Sequence, residues 1–218
     1  MRPRRFSNRE IALLGLMAAL WSVVEITLGG MIKAWRIPFG GAALAACGVA
    51  VLLTARASVP REWSSLLIGA TTAGIRLASG FGGALFAAIG ILAESAIVEA
   101  VLSSGPLSSR PRRMAAGGLA LLWALAHPFV VQGYLAGLGP AAVFRFTIAP
   151  LIGGDHPASA RAAAALLALA ALHVGLGAAT VCFVDRVLLA PGARAGRGPL
   201  GRVADSGRRG FPSDRQGI

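Results

Sequence analysis

Three ionisable side chains lie deep inside long apolar stretches of this chain: Glu94, His127 and His173. At the centre of a bilayer an ionised group costs roughly 2.5–3.5 kcal/mol on insertion scales unless it meets a partner, water or a ligand. Such positions are therefore the first place to look for function. If the stretches are helices whose outer ends face away from the cytoplasm, Glu94 and His173 each sit ~18 Å below the outer ends, and His127 sits ~20 Å above its inner start. The three groups then share the middle of the layer. A carboxylate there can hold a cationic or hydrogen-bonding group, with the imidazoles donating or accepting beside it. The same atoms could equally form an internal Glu–His contact that only ties helices together. No spacing of a metal-binding motif joins them, and no metal is expected.

A second group lies nearer the outside. Glu25 is one helical turn beyond Trp21, and Arg76 is about one turn from the outer end of its stretch. The two could pair with each other, or both could face an outward-opening pocket and recognise a polar or zwitterionic solute. Tyr134 is seven residues from His127 and shares its helical face, with Gln132 in the same outer half. Pro128 removes a backbone donor and is expected to bend the helix beside His127. Glu99 and Asp185 lie toward inner ends, within reach of arginines and water, and read as structural or topogenic.

The elements that must carry these residues are six apolar runs: Ile11 to Ile32, Ile37 to Ala55, Trp63 to Ser79, Gly82 to Leu102, Met114 to Leu138 and Arg161 to Leu189. Each is close to the ~20 residues that cross a ~30 Å hydrocarbon layer as a helix. With 56% hydrophobic and only 14% charged residues, and a mean hydropathy of +0.69, the chain has too little polar surface to coat a soluble globule. Ala, Leu and Gly dominate the runs and no period-two alternation occurs, which favours helices over a membrane barrel. The expectation is an all-α, polytopic membrane protein with six transmembrane helices. Its parts are a basic N-terminus over 1–10, a transmembrane domain over 11–189 and a disordered basic tail over 190–218. The chain between Pro140 and Ala160 is too short in apolar residues to span, and is expected to lie at the outer surface as a lid.

The net charge of +12 is explained by position. If both termini are cytoplasmic, the inner segments hold most of the 21 basic residues, as the positive-inside bias of an even number of spans requires. No basic patch is interleaved with aromatics, so nucleic acid is not an expected partner. The bilayer is. The first run is longer than a signal core and lacks an Ala-x-Ala site, so it is expected to remain attached. Cys47 and Cys182 lie in apolar runs without CxxC spacing and signal neither zinc nor a disulfide framework. No zinc-protease motif, nucleophile elbow or phosphate loop occurs, so enzymatic chemistry and a resident cofactor are not expected.

On the first run, Ala12, Gly15, Ala19 and Ser22 form a strip of small side chains that lets another helix approach closely, whether from this bundle or from a partner. That run, Ile-Ala-Leu-Leu-Gly-Leu-Met-Ala-Ala-Leu from residue 11, together with the six-run topology and the outer Ile-Pro-Phe-Gly-Gly from residue 37, resembles the substrate-specific S component of energy-coupling factor transporters. The resemblance covers Ile11 to Leu189. It implies a membrane subunit in the inner membrane of a prokaryote that captures a small water-soluble nutrient, such as a vitamin or its precursor. Its implied partners are a transmembrane coupling subunit and two cytoplasmic ATPases. The family's helix 1 docks through an Ala-x-x-x-Ala motif, matched here by Gly15-x-x-x-Ala19 and Ala18-x-x-x-Ser22. Its pocket is lined by helices 4 to 6 and outer loops, which implies substrate-binding roles for Glu94, His127, Gln132, Tyr134 and His173. Glu25 and Arg76 join them from the reading of the residues. Nickel and cobalt members carry a histidine next to the initiator Met, whereas this chain begins Met1-Arg2-Pro3. Two further readings stand beside this one: a stand-alone proton-coupled carrier using Glu25 or Glu94, and a ligand-free membrane scaffold.

Overall fold

The computed structural model describes residues 5–35, 40–80, 83–104, 109–153 and 160–188. Among these residues every regular element is helical and none is a strand. In chain order the helices are α1 (Asn8–Ala34), α2 (Gly40–Ser58), α3 (Ser64–Ala78), α4 (Ala84–Ser103), α5 (Arg110–Pro128), α6 (Pro140–Thr147), α7 (Ala149–Ile152) and α8 (Ala160–Phe183). Two π-helical segments, Phe129–Leu135 and Val184–Leu188, prolong α5 and α8. The residues between α1 and α2 that carry Arg36, Pro38 and Phe39, and the tail expected over 190–218, lie outside the described residues.

Five of these helical segments are long and apolar enough to cross a membrane: Asn8–Ile32, Gly40–Ser58, Ala84–Ser103, Arg110–Leu135 and Ala160–Val187. The third run differs. It forms a helix of 15 residues, ~22 Å long at the α-helical rise, which by itself falls short of a ~30 Å layer. Its ends explain the length. The chain enters α3 through Trp63 in the left-handed region at φ 72°, and leaves it at Gly80, where φ is 68°. At the entry the Glu99 carboxylate of α4 accepts the Trp63 and Ser65 amide N–H groups at 2.8 and 3.0 Å, which satisfies donors that a helix start leaves open.

The distribution of side chains is that of a protein made for lipid. Leu16, Leu167 and Leu172 are 64–72% exposed, while Glu25, Arg56, Arg76, Glu94, Glu99 and His173 are buried. Water would favour the reverse arrangement. Small residues bring the helices together. A Cβ added to Gly117 of α5 would lie 2.8 Å from the Gly177 carbonyl oxygen of α8, and one added to Gly69 of α3 would collide with the Ser95 hydroxyl of α4. These backbone-close crossings are the packing that apolar surroundings reward. α3 with α4, and α5 with α8, are the most extensive pairings, and α2 touches both pairs.

Polar links tie the end of the bundle that holds the start of α1. Arg61 pairs with Glu10 at 2.8 Å and donates to the Arg5 carbonyl. Arg56 Nη2 lies 3.5 Å from Glu99 Oε1 and 3.0 Å from the Ser103 hydroxyl. Arg113 joins α5 to Asp185 beyond α8 at 2.9 Å. At the opposite end, the described residues between α5 and α8 include the short helices α6 and α7, where Phe144, Ile148 and Ala149 are buried against Ala162 of α8. That small apolar cluster holds α6 and α7 down on the bundle.

Candidate functional site

One face of α4 repeats at helical spacing: Gly83, Phe86, Ala87, Gly90, Ile91 and Glu94 all line a cavity of about 240 Å³. α2 faces it with Gly41, Leu44 and Ala45, α1 contributes Glu25, and α5 contributes Trp123, Ala124 and His127, with Gln132 beyond them. Gly41, Gly83 and Gln132 lie at helix ends away from the arginine-linked end, so the mouth is there. Glu94, eleven residues along α4 from Gly83, lies ~16 Å deeper. The walls are mostly apolar or small, with a few polar atoms set among them, which is the composition of a small-molecule site.

Each polar group has a distinct setting. Glu94 is 5% exposed, and its Oε1 has no hydrogen-bond partner among the described residues. It rests against α2 where Gly48 leaves room, beside the fully buried Trp21 ring of α1. His127 Nε2 lies 2.9 Å from the Phe86 carbonyl oxygen. A carbonyl only accepts, so Nε2 carries a proton; when the ring is neutral, Nδ1 is left as an acceptor. Trp123, one turn before His127, meets it edge to face with centroids 5.8 Å apart. The Trp123 indole N–H is buried and has no partner among the described residues. The site thus combines an unsatisfied acceptor and an unsatisfied donor, both costly to bury unless something in the cavity completes them.

The π-helical segment decides which residues of α5 reach the site. Pro128 cannot donate to the ladder, and beyond it the bonds lengthen in register, as in Ala136 N–H to the Val131 carbonyl at 2.9 Å. With each bond reaching five residues back instead of four, Gln132 rather than Val131 joins His127 in lining the cavity. Tyr134 is carried away and is 70% exposed.

Of the residues singled out from sequence, Glu25, Glu94, His127 and Gln132 come together in this cavity. Three do not line it. His173, expected at the depth of Glu94, is buried on α8 with Nδ1 2.7 Å from the Leu169 carbonyl one turn back. Arg76 is buried and donates to the Ser79 hydroxyl at 2.9 Å. The third is Tyr134. Equal depth is not equal azimuth: α1, α2, α4 and α5 line the cavity, and α8 does not. Residues missed by sequence reasoning are Trp123, Phe86 and the small residues Gly41, Ala45, Gly48 and Gly90. The spacing of Gly41, Ala45 and Gly48 on one face of α2 was a readable signal for a void.

The strip on α1 divides. Ala12, Gly15 and Ala19 are exposed, and a Cβ at Gly15 would meet nothing within 4 Å. Ser22 turns inward, donating to the Ala18 carbonyl at 2.7 Å, which Thr72 of α3 also reaches at 3.2 Å. Among the described residues no group of three His, Cys, Asp or Glu side chains could hold a metal ion.

Neither protein-family models, nor curated proteins, nor solved structures give a match to this chain. The site must speak for itself.

Proposed function

We propose that this protein is the substrate-capture subunit of an energy-coupling factor importer, taking a small water-soluble nutrient from outside and delivering it inward. In this reading the termini are cytoplasmic and the membrane is the inner membrane of a prokaryote. The observation that carries the reading is Glu94: a buried carboxylate with an oxygen unsatisfied by the protein, at the floor of a cavity between four helices. Further support comes from the mouth, which opens at the end opposite the arginine-rich connections, the side that the positive-inside rule places outside. The exposed Ala12, Gly15 and Ala19 face suits close approach by a helix of a coupling subunit. Two cytoplasmic ATPases would complete the importer, and this chain carries no phosphate loop.

Uptake measured in cells tests the reading. Accumulation of the nutrient should require co-expression of a coupling subunit and ATPases, and should fall with Gly15→Leu combined with Ala19→Leu. Accumulation without any ATPase partner would overturn it. The presence of Glu25 and Glu94 in one cavity favours a second reading, a stand-alone carrier in which one carboxylate exchanges a proton for substrate. That reading requires uptake to collapse with the proton gradient alone.

A further inference from the structure

Resting on the reading of this cavity as a capture site, we infer that its occupant is a compact cation, a protonated amine or amidine on a flat apolar body, and not an anion or a neutral sugar-like solute.

The argument begins with charge. The ionisable groups lining the cavity are Glu25, Glu94 and His127, and among the described lining residues there is no Lys or Arg. An anion entering this space would come against the Glu94 carboxyl in surroundings of low dielectric, where like charges repel far more strongly than in water. A cation reverses the sign of that interaction and supplies the N–H donor that Glu94 Oε1 lacks. Charge-assisted hydrogen bonds of this kind are roughly twice as strong as neutral ones. A neutral hydroxyl could offer one donor to Glu94 but brings no charge assistance to that bond, so a cation holds the site more strongly.

Shape and the remaining polar atoms narrow the class. Leu44, Phe86, Ala87 and Ile91 give apolar walls on two sides, which disfavour a solute ringed with hydroxyls because each would need a partner. With Nε2 bonded to the Phe86 carbonyl, His127 Nδ1 of a neutral ring offers a second place for an N–H of the ligand. The Trp123 ring lies on the same wall, and an indole face attracts a cation by about 0.5–2 kcal/mol depending on solvation. Its unpartnered N–H suits a ligand that also carries one acceptor atom. A volume of about 240 Å³ sets the scale at a single substituted ring.

Three isosteric probes that differ in charge test this: benzamidine, benzamide and benzoate, titrated by calorimetry into the full-length protein in lipid nanodiscs. Benzamidine should bind at least about tenfold more tightly than benzamide, and benzoate should give no binding. Glu94→Gln should bring the amidine-to-amide ratio below about threefold while benzamide affinity holds. Leu44→Trp, which fills the cavity from α2, should abolish binding of both. Helical circular dichroism and a monodisperse elution profile confirm that each variant is folded. Equal affinity for benzamide and benzamidine, tighter binding of benzoate, or an amidine preference that survives Glu94→Gln would each overturn the cation. If such binding is still lost in Leu44→Trp, the capture reading stands and only the charge assignment falls. Failure of all three probes overturns the compact cation, and the uptake experiment then decides the capture reading separately.

Discussion

The Glu94 carboxylate of α4 occupies the space left by the missing side chain of Gly48 on α2: a Cβ at Gly48 would lie 2.5 Å from Glu94 Oε1. The same Cβ would lie 2.6 Å from the Trp21 ring of α1. One glycine therefore lets three helices meet at the floor of the cavity. Gly48→Ala should displace Glu94 or Trp21, since overpacking of this kind costs about 1–3 kcal/mol. The expected result is a lower thermal midpoint together with weaker ligand binding, measured on the same preparation in nanodiscs.

The crossing of α5 and α8 makes a separate prediction, remote from the cavity. Gly117 and Gly177 approach backbone to backbone, so Gly117→Leu should destabilise the fold by about 3 kcal/mol or more. Denaturant or thermal unfolding reads the loss directly. An unchanged midpoint would mean that the two helices do not pack as closely as this.

At the arginine-linked end, Glu99 accepts two amide N–H groups and the Ser103 hydroxyl while facing Arg56 at 3.5 Å. Both side chains are buried. Removing one partner of such a pair leaves the other charge uncompensated and typically costs about 3–5 kcal/mol. Glu99→Ala should therefore unfold more readily than the double variant Glu99→Ala with Arg56→Met. A double-mutant cycle of unfolding free energies measures the difference.

Pro128 offers a test of the π-helical segment. Pro128→Ala restores a backbone donor and permits an unbroken α-helical ladder. Val131 would then take the place of Gln132 beside His127 in the cavity lining. Ligand affinity should fall several-fold with little change in stability, and a cysteine introduced at Gln132 should lose its protection by ligand against a water-soluble thiol reagent.

Much of the helical architecture was legible because long apolar runs admit few alternatives in this composition. α1, α2, α4, α5 and α8 follow from five of the six runs, since length and hydropathy are local properties. The extent of α3 was legible too, since the helix fills the run Trp63 to Ser79 but for one residue at each end; what was not legible is that Glu99, 34 residues away from Ser65, reaches back to close its first turn. Depth along a helix could be counted, and Glu94 and His127 do meet in one cavity. Azimuth could not be counted, which is why His173, counted to the same depth, stands outside the cavity lining. Tyr134 shows the effect most sharply, because its seven-residue spacing from His127 places it on the cavity face only if the helix between them stays α-helical. The π turn after Pro128 breaks that assumption. Trp123 escaped notice because a tryptophan among apolar residues has no local mark of function until its indole N–H is seen to lack a partner.

The central claim is that Glu94 completes its hydrogen bonding with a captured solute, and occupancy of the purified protein tests it most directly. Native mass spectrometry of protein released from membranes of cells grown in rich medium should find one small molecule bound to the wild-type chain and none bound to a folded Glu94→Gln variant. Equal occupancy in both, or a wild-type protein empty under every growth condition while still correctly folded, would contradict the account.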